Sequence, residues 1–171
     1  GISSGTQPIL GYNYGAKNKD LIIKAEKQLL IFALIFTSSF FALSFVIAKP
    51  FAIMFIGIGK ETINYEIVNE ASKIIFYYMI GIVPLSVQYI FVDGLTGLGQ
   101  ARYSIWLSLF RKVGIFVPCL FLLPLISNNV ESCFYAEPIS DVISAIISST
   151  FYLIFLPKIL KKIETKNDLL S

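Results

Sequence analysis

Long uncharged apolar runs alternate with short charged segments along this chain. Residues 28–48 carry no charged side chain, and further runs of nineteen, eighteen and sixteen residues follow at 74–92, 113–130 and 142–157. Crossing about 30 Å of hydrocarbon takes about twenty apolar residues in an α-helix. Lipid offers no partner for backbone N–H and C=O groups, so such runs form helices. The pattern predicts an all-α fold, a polytopic membrane helix bundle.

The runs and their flanking residues predict about five helices, the first of them partial. Their approximate bounds are 1–15, 22–48, 70–97, 104–126 and 138–157. Lys49-Pro50 is predicted to end the second helix, because proline disrupts a helix interior. The short apolar stretch Phe51–Gly59 is then predicted to return along the outer surface.

Prolines inside the predicted helices indicate bends. Pro84, Pro118 and Pro124 each remove a backbone hydrogen bond and clash with the preceding turn. Membrane helices tolerate such breaks where neighbouring helices or a cavity satisfy the freed carbonyl group. Two kinked helices in one bundle favour a protein that bends around an internal cavity, as transporters do.

Basic residues are concentrated in alternate loops. Eleven of the fourteen Lys and Arg residues lie in Lys17–Lys27, Arg102–Lys112 and the tail from Lys158, and the other three are Lys49, Lys60 and Lys73. The positive-inside rule places the eleven in the cytoplasm. The predicted location is therefore the cell membrane, with several passes and a cytoplasmic C-terminus.

The composition argues mainly against some classes of function, namely nucleic-acid binding, catalysis and metal binding. Charged residues make up 15% of the chain, against about 25% in soluble domains, and the net charge of +3 is too small to suggest a nucleic-acid partner. The chain has no His, which is the commonest metal ligand and the usual general base. Cys119 lies in an apolar run and Cys133 in a loop, so they are not expected to pair. Neither an enzyme nor a metal site is predicted.

Three short motifs carry a resemblance to a known family. Gly5–Lys17, which reads GTQPILGYNYGAK, resembles a signature of the multidrug and toxic compound extrusion (MATE) family, where it closes the second helix of the C-terminal lobe. Gly97–Arg102 (GLGQAR) is similar to the end of the fourth helix of a lobe. Ala136–Asp141 (AEPISD) is similar to the opening of the sixth. The first motif is the most specific, and all three fall in the family's order.

The resemblance covers the whole chain and implies a function. Residues 1–171 would be the C-terminal lobe, from late in transmembrane helix 8 to helix 12, of a two-lobe transporter. Family members expel cationic amphipathic compounds in exchange for Na⁺ or H⁺ by alternating access. The implied partners are the lipid bilayer, the N-terminal lobe of the same transporter and small cationic drugs. No cofactor beyond the coupling ion is implied. Because the chain opens on Gly1 in mid-pattern, it is expected to be a piece of a longer protein.

Asp93 is a candidate for ion coupling because it interrupts an otherwise apolar helix. A charge at the bilayer centre costs at least ~2.5–3.5 kcal/mol, so such residues are functional candidates. Tyr89 and Ser86, four and seven residues earlier, share its helix face. The alternative is a wet position near the cytoplasmic end, with Asp93 paired to Arg102.

Other polar residues in the apolar segments are candidates for the substrate or ion pathway. Gln7 and Asn13 carry amides that are costly to bury without a partner, so they are expected to face another helix or a wet cavity. Gln88 lies on a different face from Asp93 and is expected to line the cavity with Tyr77.

The last helix carries a polar stripe. Glu137, Asp141, Ser144 and Ser148 are spaced to lie on one helix face, which would suit a cation path. The favoured alternative is helix capping. Pro138 suits the first turn of a helix, and the helix dipole there stabilises the carboxylates of Glu137 and Asp141.

Small residues of the motifs are assigned structural roles. Gly11 and Gly15 are spaced for close helix approach, and Pro8 is predicted to break the helix beside Gln7. Gly97 and Gly99 follow a membrane helix rather than a strand, so they are interpreted as a helix end and turn and not as a phosphate loop.

Two other functions stay open. A lipid-linked oligosaccharide flippase of the same superfamily would share these helices, but we expect more cationic residues facing its cavity than the sequence places in mid-span. The other possibility is a truncated membrane protein that does not transport. A lobe without its opposing lobe is expected to be inactive alone.

Overall fold

The computed structural model describes residues 1–57 and 64–168, and all regular secondary structure within these ranges is helical. Seven α-helices follow in order: α1 (Ile2–Gly15), α2 (Lys19–Gly57), α3 (Tyr65–Ile80), α4 (Ile82–Gly97), α5 (Ala101–Leu109), α6 (Val117–Ser127) and α7 (Ala136–Asp168). A π-helical segment, Phe110–Phe116, joins α5 to α6, and the 3₁₀ helix Val130–Tyr135 leads into α7. The predicted all-α membrane helix bundle is confirmed.

Among the described residues, four helical segments are long and apolar enough to cross a membrane. They are Lys19–Gly57, Tyr65–Gly97, Ala101–Ser127 and Val130–Lys161. Large apolar side chains cover their outward faces, including Phe32, Ile35 and Phe45 of α2, each more than half exposed. Such surfaces are stable against lipid tails, which are as apolar as the side chains themselves. The chain is a multi-pass membrane protein.

Helix α4 lies at the centre of the bundle and packs against α1, α2 and α7. Glycines permit the closest approach, between α1 and α4. A Cβ atom on Gly97 would lie 3.1 Å from the Gln7 carbonyl oxygen, and one on Gly11 would lie 3.3 Å from the Gly97 carbonyl oxygen. The close approach predicted at Gly15 is wrong, because a Cβ atom there would meet nothing within 4 Å.

Several helices continue through prolines at which they were predicted to end or break. Helix α2 contains Pro50 and runs to Gly57, so the predicted end at Ala48 is wrong, as is the return of Phe51–Gly57 along the surface. Residues 58 and 59 of that stretch, and Lys60, lie outside the described residues. Helix α7 continues past Pro157, and α1 past Pro8. One lost hydrogen bond costs less than exposing a whole helix end to lipid.

Two other prolines do coincide with irregular backbone, one turn before the ring. The break between α3 and α4 falls at Gly81, beside the Ile80 carbonyl group with which the Pro84 ring would clash. The π-helical segment likewise ends at Phe116, two residues before Pro118. The chain turns between α4 and α5 at Gly99, whose φ of +74° favours glycine.

Candidate functional site

Asp93 of α4 forms a polar cluster with the first turns of α1. The Gln7 Nε2 atom donates to Asp93 Oδ1 at 2.9 Å, and the Ser4 hydroxyl donates to Oδ2 at 3.3 Å. Pro8 has no N–H to donate to the Ser4 carbonyl group, which therefore lacks its usual helical donor. The partners of Asp93 are thus an amide and a hydroxyl from α1, in place of the alternative pairing with Arg102.

A cavity of 660 Å³ opens beside this cluster, between α1, α2 and α4. Ser86 and Tyr89 line it together with Asp93, as their shared helix face predicted. From α2 the Thr37 hydroxyl lies 3.3 Å from the Ser86 hydroxyl. The remaining wall is largely apolar and includes Ala33, Phe36 and Ile90. The cavity therefore combines one carboxylate, several hydroxyls and an apolar surface.

A second polar cluster surrounds Arg111 in the π-helical segment. The Arg111 Nη2 atom donates to Glu137 Oε1 at 2.9 Å, and its Nε atom lies 3.3 Å from Asp141 Oδ1. The Lys112 ammonium donates to the same Glu137 oxygen at 2.8 Å. Two basic and two acidic side chains therefore neutralise each other between this segment and the start of α7. These ion pairs hold Glu137 and Asp141 more directly than the helix dipole that was expected to stabilise them.

Gln88 connects α4 to this second cluster. Its Oε1 atom accepts from the Ser144 hydroxyl at 2.8 Å and from Arg111 Nη1 at 3.4 Å. The Arg111 guanidinium group also lies 5.8 Å from the centroid of the Tyr89 ring. Because Tyr89 also lines the cavity, its ring borders both the ionic cluster and the Asp93 cavity.

The charge count placed Arg111 and Lys112 in a cytoplasmic loop, whereas the predicted helix over 104–126 contains both residues, and the structure agrees with the helix. Both lie inside the membrane-spanning segment Ala101–Ser127 and reach the start of α7. Without them, the predicted cytoplasmic side keeps nine of the fourteen basic residues against three. π-Helical turns inside longer helices often occur at functional sites, and here the turn carries both cations.

The structure leaves two of the predicted residues apart from these clusters. The buried Asn13 side chain donates to the Ile9 carbonyl oxygen of its own helix at 2.8 Å. Tyr77 is 40% exposed, and its ring centroid lies 5.4 Å from that of Tyr135. Tyr77 and Gln88 therefore do not line one cavity as predicted, because Gln88 is buried against α7.

Glu26 was missed in the sequence. Its carboxylate is buried where α2 meets α4 and α7, and it faces the Tyr152 hydroxyl. The sequence contains a signal for this burial. Glu26 falls four residues after Ile22, three before Leu29 and seven before Ala33, so it lies on the apolar stripe that α2 buries.

The Asp93 cluster could hold a monovalent cation through oxygen atoms. Its carboxylate and the Ser4 hydroxyl offer oxygen ligands of the kind that hard cations prefer, whereas Gln7 presents its NH2 group to Asp93. In the described part of the chain, no three His, Cys, Asp or Glu side chains come together as a ligand set. Any cation held there would therefore keep part of its water shell.

Comparison with known proteins places this arrangement in a family. The family model named MatE matches residues 1–122. No curated protein matches the sequence. A multidrug resistance MATE family transporter of the MOP superfamily, in its inward-facing conformation, superposes with a TM-score of 0.84 at 16% identity, covering 93% of this chain and 36% of that one.

The Vibrio cholerae MATE transporter VcmN in its bent form superposes with a TM-score of 0.76 at 19% identity, covering 93% of this chain and 34% of that one. The chain thus spans about one third of the length of these two transporters. At such identities the superpositions show the shared fold. Since the family model matches residues 1–122 of 171, the chain belongs to the MATE family.

Proposed function

We propose that this chain is the C-terminal lobe of a secondary active exporter that expels cationic amphipathic compounds in exchange for Na⁺ or H⁺. The observation that carries the proposal is the Asp93 carboxylate, which borders a 660 Å³ cavity and receives hydrogen bonds from Gln7 and Ser4. The proposed site lies in the cell membrane, and the C-terminus lies in the cytoplasm.

The cavity wall supports an amphipathic cation as the substrate. Phe36, Ile90 and Ala33 offer an apolar surface, and Tyr89 offers an aromatic face that attracts a cation. The charge of the substrate would pair with Asp93. Binding sites of this composition select by shape and apolar area, with few polar groups to fix orientation.

The exchange of ion for substrate follows because the coupling ion and the cationic substrate compete for the Asp93 carboxylate. A bound Na⁺ or H⁺ neutralises Asp93 and weakens its attraction for a cationic substrate, which then leaves. The ion drives transport if it binds one orientation of the two lobes more tightly, because a ligand shifts an equilibrium only by its differential affinity. The N-terminal lobe of the same protein is the proposed partner in this movement.

The test is ion-driven efflux of a fluorescent cationic compound from proteoliposomes that contain the full-length protein. We expect Asp93→Asn to reduce efflux at least about tenfold, which corresponds to about 1.4 kcal/mol. The matched control is Asp20→Asn, which removes an exposed carboxylate in the first turn of α2. Unchanged efflux with normally inserted Asp93→Asn protein would contradict the proposal.

A lipid-linked oligosaccharide flippase is the second candidate. It is favoured by one observation, the position of Arg111 and Lys112 inside a membrane helix. Their ion pairs with Glu137 and Asp141 argue against an unpaired cationic surface for an anionic headgroup. Translocation of a lipid-linked oligosaccharide by the same proteoliposomes, without efflux of the cationic compound, would favour the flippase.

A further inference from the structure

Glu26 is a buried acid that faces the Tyr152 hydroxyl group without meeting it at good hydrogen-bonding geometry. It is 7% exposed, and its two carboxylate oxygens face the hydroxyl of Tyr152, which is 2% exposed. None of these three oxygen atoms has a partner at hydrogen-bonding geometry. Burying an ionised carboxylate without compensating hydrogen bonds is costly, so this pair of side chains requires an explanation.

The surrounding helices provide space for the carboxylate. A Cβ atom at Gly94 of α4 would collide with the Glu26 carboxylate and would lie 3.3 Å from the Tyr152 ring. The absence of a side chain at Gly94 therefore leaves room for the Glu26 carboxylate to reach from α2 toward Tyr152 on α7. On α2 the neighbours of Glu26 along the same stripe are the buried Ile22 and Leu29. The acid occupies a fitted position in the core and not a surface groove.

The charged and titratable groups around Glu26 can be identified helix by helix. Helix α7 contributes Tyr152, and α1 contributes Tyr14, which packs against the core that contains Tyr152. On α4, Asp93 is next to Gly94 in sequence but is bonded to Gln7 and Ser4 of α1. On α2 the nearby cations in sequence are Lys19, two turns away, and the exposed Lys24 and Lys27.

A proton fits this site better than a metal ion. Hard divalent cations such as Ca²⁺ take about six to eight oxygen ligands, whereas the site offers one carboxylate and one hydroxyl among apolar side chains. A proton needs a single acceptor. Once protonated, the Glu26 carboxyl group is neutral, and a small shift of either side chain would let it donate to the Tyr152 hydroxyl oxygen, which keeps its own proton.

A column of buried polar side chains on α7 runs from this site toward the Arg111 cluster. It consists of Asp141, Ser144, Ser148 and Tyr152, which follow at intervals of three or four residues and are each at most 2% exposed. The Ser148 hydroxyl has no hydrogen-bond partner, and the Ser144 hydroxyl donates to Gln88. Side chains three or four residues apart on a helix lie next to each other, so the column places polar atoms along α7 between the two sites.

We propose that Glu26 and Tyr152 form a buried proton-binding site, separate from the Asp93 cavity, at one end of the polar column on α7. The inference rests on the proposed export function only in assigning the bound proton a role in coupling. In that role the proton binds Glu26, and its binding or release changes how tightly α2 packs against α4 and α7.

The test is infrared difference spectroscopy of the full-length protein in lipid, recorded between acidic and alkaline pH. We expect a titrating carboxylic-acid C=O band that is lost in Glu26→Gln and shifted in frequency in Tyr152→Phe, because the hydroxyl partner is removed. The band should persist in Asp93→Asn and in the surface control Asp20→Asn. Its persistence in folded Glu26→Gln protein, or its absence from the unmodified protein, would overturn the proposal.

Efflux measurements on the same variants separate this inference from the proposed function. The export proposal fails if the unmodified protein moves no cationic compound, whatever the infrared band does. The proton-site proposal is rejected if Asp93→Asn abolishes efflux and the infrared difference spectrum of Glu26→Gln is the same as that of the unmodified protein. If Glu26→Gln does not fold, the frequency shift in Tyr152→Phe decides, since that variant keeps the carboxyl group and nearly all of its packing volume.

Discussion

At the scale of single residues, Arg111 is the centre of the ionic cluster. It contacts Glu137, Asp141 and Gln88, and its side chain is 6% exposed. Removing one partner of a buried ion pair leaves an uncompensated buried charge and costs about 3–5 kcal/mol. We therefore expect Arg111→Met to lower the free energy of unfolding by that amount, measured by thermal or denaturant unfolding of the full-length protein in detergent.

Lys112 is the matched control for this substitution. It donates to the same Glu137 oxygen, but its side chain is 53% exposed. Exposed ion pairs contribute about 0–1 kcal/mol, so Lys112→Met should change stability little. Adding Asp141→Asn to Arg111→Met should recover part of the loss, because it removes one of the stranded charges. Equal losses from the two single variants would show that Arg111 does not hold the cluster together.

Polar residues could be predicted from the sequence at this scale, but their partners could not. Asp93 and Gln88 stand out because each interrupts an apolar run. The hydrogen bond between Gln7 and Asp93 joins residues 86 positions apart, and no local pattern encodes such a distance. Arg111 was misplaced for a related reason, since a charge at the edge of an apolar run resembles a loop until a distant carboxylate is known to face it.

At the scale of helices, the contact between α1 and α4 depends on Gly97. A Cβ atom there would lie 3.1 Å from the Gln7 carbonyl oxygen and 3.2 Å from the Gln7 Cα atom. Backbone atoms cannot move aside as a flexible side chain can, and overpacking of this kind costs about 1–3 kcal/mol. We expect Gly97→Ala to destabilise the protein by that amount and to weaken efflux, because Gln7 also holds Asp93.

Gly15→Ala provides the comparison for Gly97→Ala. A Cβ atom at Gly15 meets nothing within 4 Å, and alanine is favoured over glycine in a helix by up to about 1 kcal/mol. The Gly15 variant should therefore be neutral or slightly more stable in the same unfolding assay. If both alanine variants behave alike, the helices do not approach each other closely at Gly97.

The sequence was enough to predict that these helices exist, but not the residues at which they end. Uncharged apolar runs of about twenty residues, close to the length that crosses a bilayer, leave the backbone no alternative to a helix. The four long segments therefore follow from the sequence. Prolines are ambiguous in this environment. The helix passes through Pro50 but breaks one turn before Pro84, where Gly81 also allows Pro138 and Asp141 of α7 to pack closely.

At the scale of the whole molecule, the alternation of charge predicts an orientation in the membrane, and the fold provides the likeness to transporters. The predicted orientation rests on nine basic residues against three and survives the reassignment of Arg111 and Lys112. The fold superposes on about one third of two MATE transporters. Since alternating access requires two bodies that move against each other, the proposed C-terminal lobe is not expected to complete a transport cycle alone.

This argument leads to a prediction about the chain alone. Proteoliposomes that contain only residues 1–171 should show no saturable, gradient-driven efflux of a cationic compound, whereas the full-length protein should show it. The isolated chain keeps the Asp93 cluster, because Ser4, Gln7 and Asp93 all lie within it. Binding of the compound, measured by fluorescence quenching and lost in Asp93→Asn, should therefore survive without transport.

The two measurements together distinguish binding from movement. Efflux by the chain alone would mean that a dimer of this lobe, or the lobe itself, supplies the opposing surface, and the need for an N-terminal lobe would be rejected. Absence of both efflux and binding, in protein whose helices are intact by circular dichroism, would remove the cavity beside Asp93 as the substrate site. Binding without efflux is the expected outcome, because alternating access requires a second body against which the lobe moves.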